Sequence, residues 1–405
     1  MKNTLPWLAL ALMAIATPVL AQPAPATGTD EARRAREEKA ATPPPATTGK
    51  VERFLNWVER GPFFSGQQRD GFGVRIGIEN GNGAALGPSW RTSKPLGGAL
   101  QIAASGAVSI VGDRQIAGNF ALAPIAGRRL TLGLDADGTH LAQERFYGTG
   151  MTTVRTDGVA FAVDERRIMA AATLNAAEWL QISAGAGTVD ARTADAQGPG
   201  IAPISARFTP ASAAGMGINH AFKVVSLGAA VDARDVPDNP RTGGRYAIAA
   251  ERYDSAPHHP YSFTRIDTEV EQHFSFWKRQ RVITLRAIAS TALTAEGHDV
   301  PFYLQPTLGG SRVLRGFVND RFRDRSLLAL QAEYGFDLSP FLNAVVFYET
   351  GAVGSALRNI RSSDFRGDYG IGLRFGSART VAFRTDVAFG SGEGTRLTMR
   401  FNHAF

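Results

Sequence analysis

From Gly71 onward the chain alternates apolar and polar positions with the period of two that an extended strand imposes. The clearest runs are 72–79, 130–135, 223–235, 245–253, 265–275, 281–288, 327–337, 344–351, 369–375, 381–389 and 397–405. Weaker alternating runs fill the gaps, and the spacing predicts about sixteen strands. Sorted by parity, Val381, Phe383, Val387 and Phe389 oppose Arg384 and Asp386. Likewise Tyr369, Ile371, Leu373 and Phe375 oppose Gly370, Gly372 and Arg374, and Phe72, Val74, Ile76 and Ile78 oppose Arg75 and Glu79. In the last run Leu397, Met399, Phe401 and Phe405 oppose Arg396, Thr398, Arg400 and Asn402. One such segment alone fits the edge of a soluble sandwich equally well. Repeated through the chain, the pattern predicts a wall between acyl chains and water: an all-β, transmembrane antiparallel barrel. An Arg or Lys facing lipid near mid-bilayer costs about 2–4 kcal/mol, so this sorting is a physical requirement.

Connection lengths point the same way. Turns near 237–239, 278–280 and 339–343 are short, whereas 193–220 and 295–324 are long. An even strand count returns the last strand to the side where the first began.

Ahead of the strands the pattern changes. Lys2, the apolar run 5–16 and the small-residue site Val19-Leu20-Ala21 predict a signal peptide over 1–21. No later stretch approaches the roughly 18 apolar residues of a spanning helix, so membrane passage requires a closed barrel. Residues 22–50 are rich in Ala, Pro and Thr, with Pro43-Pro44-Pro45 and a charged patch from Asp30 to Lys39, and predict a linker without a core. Residues 51–66 predict a short amphipathic helix, in which Val51, Phe54, Leu55 and Val58 oppose Glu52, Arg53, Asn56 and Glu59. It would lie on the inner leaflet, in the barrel mouth or against the rim. Residues 71–405 form the barrel domain.

Composition narrows the chemistry. The 44 glycines and 24 phenylalanines suit many turns and aromatic girdles, and cysteine is absent. The formal charge of +7 comes from basic residues interleaved with acidic ones, without one basic block, which argues against nucleic acid as a partner. His258-His259 and the isolated His140, His220, His273, His298 and His403 stand in no serine- or carboxylate-bearing motif and lack metal-ligand spacing. No enzyme activity, cofactor or metal is expected.

The candidate site lies in the longest connection. Residues 300–317 are strongly apolar and aromatic, and such a loop is expected to fold inward and pack. The two strands that follow place Gln331 and Glu333 on one inner face and Phe347, Glu349 and Gly351 on the next. Arg315 then pairs with Glu349 and Glu333, since a planar guanidinium engages two carboxylates while remaining ionised. Gly316 allows close backbone approach, and Phe317 wedges beside it.

These residues resemble a known family. Gly309-Gly310 followed by Leu314-Arg315-Gly316-Phe317 resembles the sixth-loop RGF motif of the outer membrane protein 85 (Omp85) superfamily, the bacterial surface antigens of BamA/TamA type. Phe347-Tyr348-Glu349-Thr350-Gly351 resembles its F-x-D-x-G strand motif, with Glu in place of Asp. The stretches 321–325 and 332–334 resemble the strand start after that loop, and 232–235 with 239–244 the mid-barrel turn. The C-terminal Phe401 and Phe405 resemble the signal by which such barrels are themselves inserted. The resemblance is close over 230–405 and loose over 71–222. It implies sixteen strands, loop 6 held in the lumen by Arg315, and a weak seam between first and last strands. Gly71, Gly73, Gly77, Gly81 and Gly83 agree with such a seam, because glycine weakens strand pairing.

The family's inserting and secreting members carry periplasmic POTRA modules, and about fifty residues between the signal and the first strand are too few for one. Expected partners are outer membrane lipids, a separate periplasmic protein, and unfolded outer membrane or secreted clients. The function implied is insertion, translocation or envelope assembly. The alternative is a passive pore or structural barrel.

Overall fold

The computed structural model describes residues 70–79, 83–125, 129–196, 201–377 and 380–401. The predicted signal peptide (1–21), linker (22–50) and helix (51–66) lie outside the described residues, as does Phe405. The strands in chain order are β1 (Gly71–Glu79), β2 (Gly83–Thr92), β3 (Leu100–Ser109), β4 (Arg114–Ile125), β5 (Leu130–Phe146), β6 (Val159–Ala177) and β7 (Leu180–Asp195). There follow β8 (Asn219–Asp232), β9 (Gly243–Ser255), β10 (Phe263–Phe276), β11 (Arg281–Thr294), β12 (Thr307–Leu308) and β13 (Phe322–Arg323). Last come β14 (Ser326–Ser339), β15 (Leu342–Gly354), β16 (Arg366–Gly376), β17 (Val381–Gly390) and β18 (Gly394–Phe401). Sixteen of them make one sheet in which each strand pairs antiparallel with the next, β14 following β11. β12 and β13 pair with each other inside the β11–β14 connection, called loop 6 below. No described helix is long and apolar enough to cross a membrane.

The strands face as their parity predicts. Tyr369, Ile371, Val346 and Tyr348 stand exposed on the outside of β16 and β15, while Arg374, Phe347 and Glu349 are buried on the inside. Rings at one outer edge touch, Phe276 with Tyr334, Tyr334 with Phe336, and Phe375 with Phe383, and make an aromatic belt. Val381 departs from its predicted place on the lipid face. The ladder steps from Phe375–Phe383 to Gly376–Val381, and this bulge turns the buried Val381 toward a lumen cavity. Ile371 sits mid-strand, so Ile371→Arg is expected to destabilise the folded barrel by about 2–4 kcal/mol. Urea unfolding in lipid vesicles measures this, and an unchanged midpoint would refute the outward assignment.

β6 runs 19 residues. At about 3.3 Å per residue it spans roughly 60 Å, which exceeds a hydrocarbon core of about 30 Å even when tilted by about 45°. Its outer end therefore rises beyond the lipid. There the outward-facing His140, Asp164 and Arg192 join, with Asp164 within 2.8 Å of His140 and 3.2 Å of Arg192.

The sequence predicts a closed barrel, and the structure differs at one place. β1 and β18 approach within 8 Å between Cα atoms, yet no ladder joins them among the described residues. Local sequence accounts for this. β1 carries Gly71, Gly73 and Gly77, which have no side chains to pack against a neighbouring strand. The sheet is thus a barrel with one unzipped seam.

Candidate functional site

Loop 6 enters the lumen along β12. Gly309 and Gly310 both have φ near +110° (111° and 108°). A Cβ on Gly309 would lie 2.2 Å from the Val318 carbonyl oxygen, so only glycine lets the outgoing and returning limbs run this close. At the tip Leu314 adopts φ 56°, and its carbonyl accepts the Phe317 N–H at 3.0 Å. A left-handed conformation is costly for leucine. Here it is held by packing, since both Leu314 and Phe317 are fully buried. This turn pushes Arg315 and Gly316 outward as the point of the loop.

The Arg315 guanidinium meets three carboxylates from three strands. Nη2 lies 2.7 Å from Glu349 Oε1 on β15 and 3.2 Å from Glu333 Oε2 on β14, while Nη1 lies 3.3 Å from Asp386 Oδ1 on β17. Nε also donates to Glu349 Oε1 at 2.8 Å, and the Arg315 backbone N–H donates to Glu349 Oε2 at 2.8 Å. Glu349 is wholly buried and receives a further bond from Gln331 Nε2 at 2.7 Å. The guanidinium carbon lies 3.5 Å from the Phe347 ring centroid, a stacking contact that adds to the ion pairs. Arg374 of β16 completes the network, donating to Asp386 at 2.6 Å and Glu333 at 3.1 Å.

Gly316 makes the closest approach to the wall. Its N–H donates to Asp368 Oδ2 at 2.6 Å, and an added Cβ would sit 2.5 Å from the Gly390 nitrogen. Two backbones cross here with no room for a side chain. Beside them Leu308 packs over Gly351, where a Cβ would lie 3.1 Å from Leu308 Cδ1, and Phe317 contacts Phe322 at 5.6 Å between ring centroids.

Farther out the returning limb is held a second time. Arg321 pairs with Glu393 between β17 and β18 and donates to Thr153 Oγ1 and to the Thr153 carbonyl, each at 2.7 Å. Arg323 is buried among Phe146, Phe161 and Phe302 and donates to the Phe302 carbonyl at 2.7 Å.

The opposite mouth has its own cover. The turn 233–242 between β8 and β9 reaches across the lumen, where Arg241 forks onto Asp337 at 2.7 and 2.9 Å and Asn239 donates to the Ser377 carbonyl at 2.9 Å. Within this turn burial raises the proton affinity of Asp235. The N–H groups of Arg241, Thr242 and Val236 together with the Arg279 guanidinium outweigh it and hold the carboxyl below its ordinary range. Between this cover and the loop tip lies a cavity of about 350 Å³, and a second cavity of about 980 Å³ lies on the other side of the tip.

The residues expected from the sequence to meet, Arg315, Glu333, Glu349, Phe347 and Gly351, all stand in this one cluster, with Gly309, Gly310, Leu314, Gly316 and Phe317 shaping the arm that reaches it. Phe401 ends β18 and Phe405 lies outside the described residues. Sequence reasoning missed Asp368, Asp386 and Gly390 as contacts of the tip, and Arg374 as their neighbour. Inward parity was the available signal for Arg374 and Asp386. Among the described residues no cluster of His, Asp and Glu is arranged to hold a metal ion.

The geometry can be set beside known proteins. The chain matches the Omp85 superfamily domain over residues 95–403. No curated protein matches it. Among solved structures it is similar to BamA from Haemophilus ducreyi lacking POTRA domains 1–3, with a TM-score of 0.62, 13% identity, and coverage of 88% of this chain and 78% of that one. It is also similar to CdiB from Acinetobacter baumannii, with a TM-score of 0.50, 13% identity, and coverage of 81% and 58%. For CdiB from Escherichia coli the values are 0.51, 12%, 82% and 62%. The chain thus spans less than two thirds of either CdiB structure, and at these identities the likeness is one of fold. A sixteen-stranded wall, a loop pinned within it, and a domain match over three quarters of the sequence lead to one assignment: the chain belongs to the Omp85 superfamily.

Proposed function

We propose that this protein works in the bacterial outer membrane as an insertion, translocation or envelope-assembly factor, together with a separate periplasmic protein. The observation that carries this is the unzipped seam. Among the described residues β1 and β18 lie side by side without ladder hydrogen bonds, so the facing backbone edges are not paired with each other there. An open strand edge is a template on which another chain can pair, and in lipid an unpaired edge is costly enough to favour such pairing. The pinned loop 6 and the turn 233–242 keep the lumen obstructed while the seam remains available. The role is non-enzymatic and its clients are unfolded outer membrane or secreted proteins.

Depletion of the protein, followed by proteomics and lipidomics of isolated outer membranes, tests the proposal. Selective loss of other barrel proteins is expected. A lipid change alone would shift the reading to envelope maintenance. If neither changes, and planar bilayers show a stable open conductance level instead of small erratic steps, the protein is a passive barrel.

A further inference from the structure

Next to the seam, three arginines stand in one row inside the wall. Arg374 of β16 is directly opposite Arg384 of β17, and Arg384 is directly opposite Arg400 of β18. Like charges at opposed positions repel, and a sheet normally avoids them. Arg374 is compensated by Asp386 and Glu333. The other two form no ion pair with the described residues, and Arg384 feels Glu333 and Asp386, both already engaged by Arg374, only at longer range. Arg384 makes no hydrogen bond or ion pair with the described residues, and its Nε is sealed from water without a partner. Among the described residues Arg400 has one long contact, 3.4 Å to the Ser311 carbonyl, and no carboxylate partner. Facing them from loop 6 is the exposed Arg312, and all three line the cavity of about 350 Å³ beneath the loop tip. The nearest carboxylates are already engaged, Glu333 and Asp386 by Arg315 and Arg374, and Glu269 by Arg286 at 2.7 Å.

We propose that Arg384, Arg400 and Arg312 form a binding site for a phosphate group, supplied by a free phosphate or by a lipid headgroup. A cavity walled by three guanidiniums that form no ion pair among the described residues favours a counter-anion. A tetrahedral dianion suits the place, because guanidinium forks engage phosphate oxygens pairwise and a double charge balances more than one arginine. The position matters as well: Arg400 lies on β18, the seam strand, and lines both lumen cavities, so an anion held there ties β17 and β18 to loop 6.

The test uses the full mature chain in an uncharged detergent at fixed ionic strength. Inorganic phosphate is titrated by calorimetry and by heat-induced unfolding, with chloride as control, and native mass spectra record retained phospholipid. Phosphate is expected to raise the unfolding temperature where chloride does not. Arg384→Gln and Arg400→Gln are each expected to weaken phosphate binding by about 10-fold or more, one charge-assisted contact being lost. Both variants should still show the heat-shifted mobility of a folded barrel. A response to inorganic phosphate identifies a free anion as ligand. Retained phospholipid that disappears in both variants, without that response, identifies a headgroup. Equal shifts with chloride and phosphate, binding unchanged in both variants, or neither phosphate nor phospholipid bound would overturn the proposal.

Discussion

Arg315→Ala is expected to lower the resistance of the folded barrel to heat and denaturant by about 3–5 kcal/mol, the cost of removing one partner from a buried ion pair. The residue is almost fully buried, and its loss leaves Glu349, wholly buried, with Gln331 and a backbone N–H as its donors among the described residues. It also strips compensation from Asp368, which lies directly opposite Glu349 in the β15–β16 ladder. Two effects reduce the figure. Arg374 still neutralises Asp386 and Glu333, and the cavity of about 350 Å³ beside the tip admits water that screens the orphaned carboxylate. Gel mobility of unheated samples across a temperature series, or urea unfolding in vesicles, provides the measure. Adding Glu349→Gln removes the orphaned charge, so the double variant should be less destabilised than the sum of the two single changes. Additive losses would mean that the pair contributes no coupling, and an unshifted Arg315→Ala transition would mean that loop 6 is held by its outer anchors alone.

How far the sequence leads depends on what each residue's placement requires. Strand face is a local property, set by parity, and Tyr369, Ile371 and Arg374 could be assigned from spacing alone. Val381 could not, because a bulge at Gly376 shifts parity without leaving a mark in the apolar pattern. β6 and β7 give only weak alternating runs, since they are rich in Ala and Gly and their polar outer ends rise above the lipid, so the apolar contrast fades. The Arg315–Glu349 contact was legible because a long apolar loop must fold inward and an inward carboxylate stands on a neighbouring strand. Asp368, Asp386 and Gly390 required more: which strands the loop tip reaches depends on barrel curvature and on the depth of the arm, neither of which is encoded in spacing. The open seam lies between these cases. The glycines of β1 suggested weak pairing, whereas the missing ladder to β18 is a relation between residues more than 300 apart.

Gly316→Ala separates shape from charge in the same lock. Every ion pair of Arg315 remains available to this variant, yet its new methyl carbon would fall 2.5 Å from the Gly390 nitrogen, 2.6 Å from the Gly390 Cα and 2.9 Å from the Asp368 Cβ. The first two are backbone atoms of β17, paired on both sides with β16 and β18, and they cannot yield as a side chain would. The tip must therefore withdraw, lengthening the Gly316–Asp368 hydrogen bond of 2.6 Å and drawing the guanidinium away from Glu349. The expected loss lies at the upper end of the range for overpacking, about 3 kcal/mol, and conductance in planar bilayers should rise as the plug loosens. Gly390→Ala approaches the same crossing from the wall and would place its methyl carbon 2.4 Å from the Gly316 carbonyl oxygen, so it should reproduce both effects. Combining either change with Arg315→Ala should add little, because a tip already displaced has no ion pair left to lose. Wild-type stability and conductance in both glycine variants would show that loop 6 does not rest against β17.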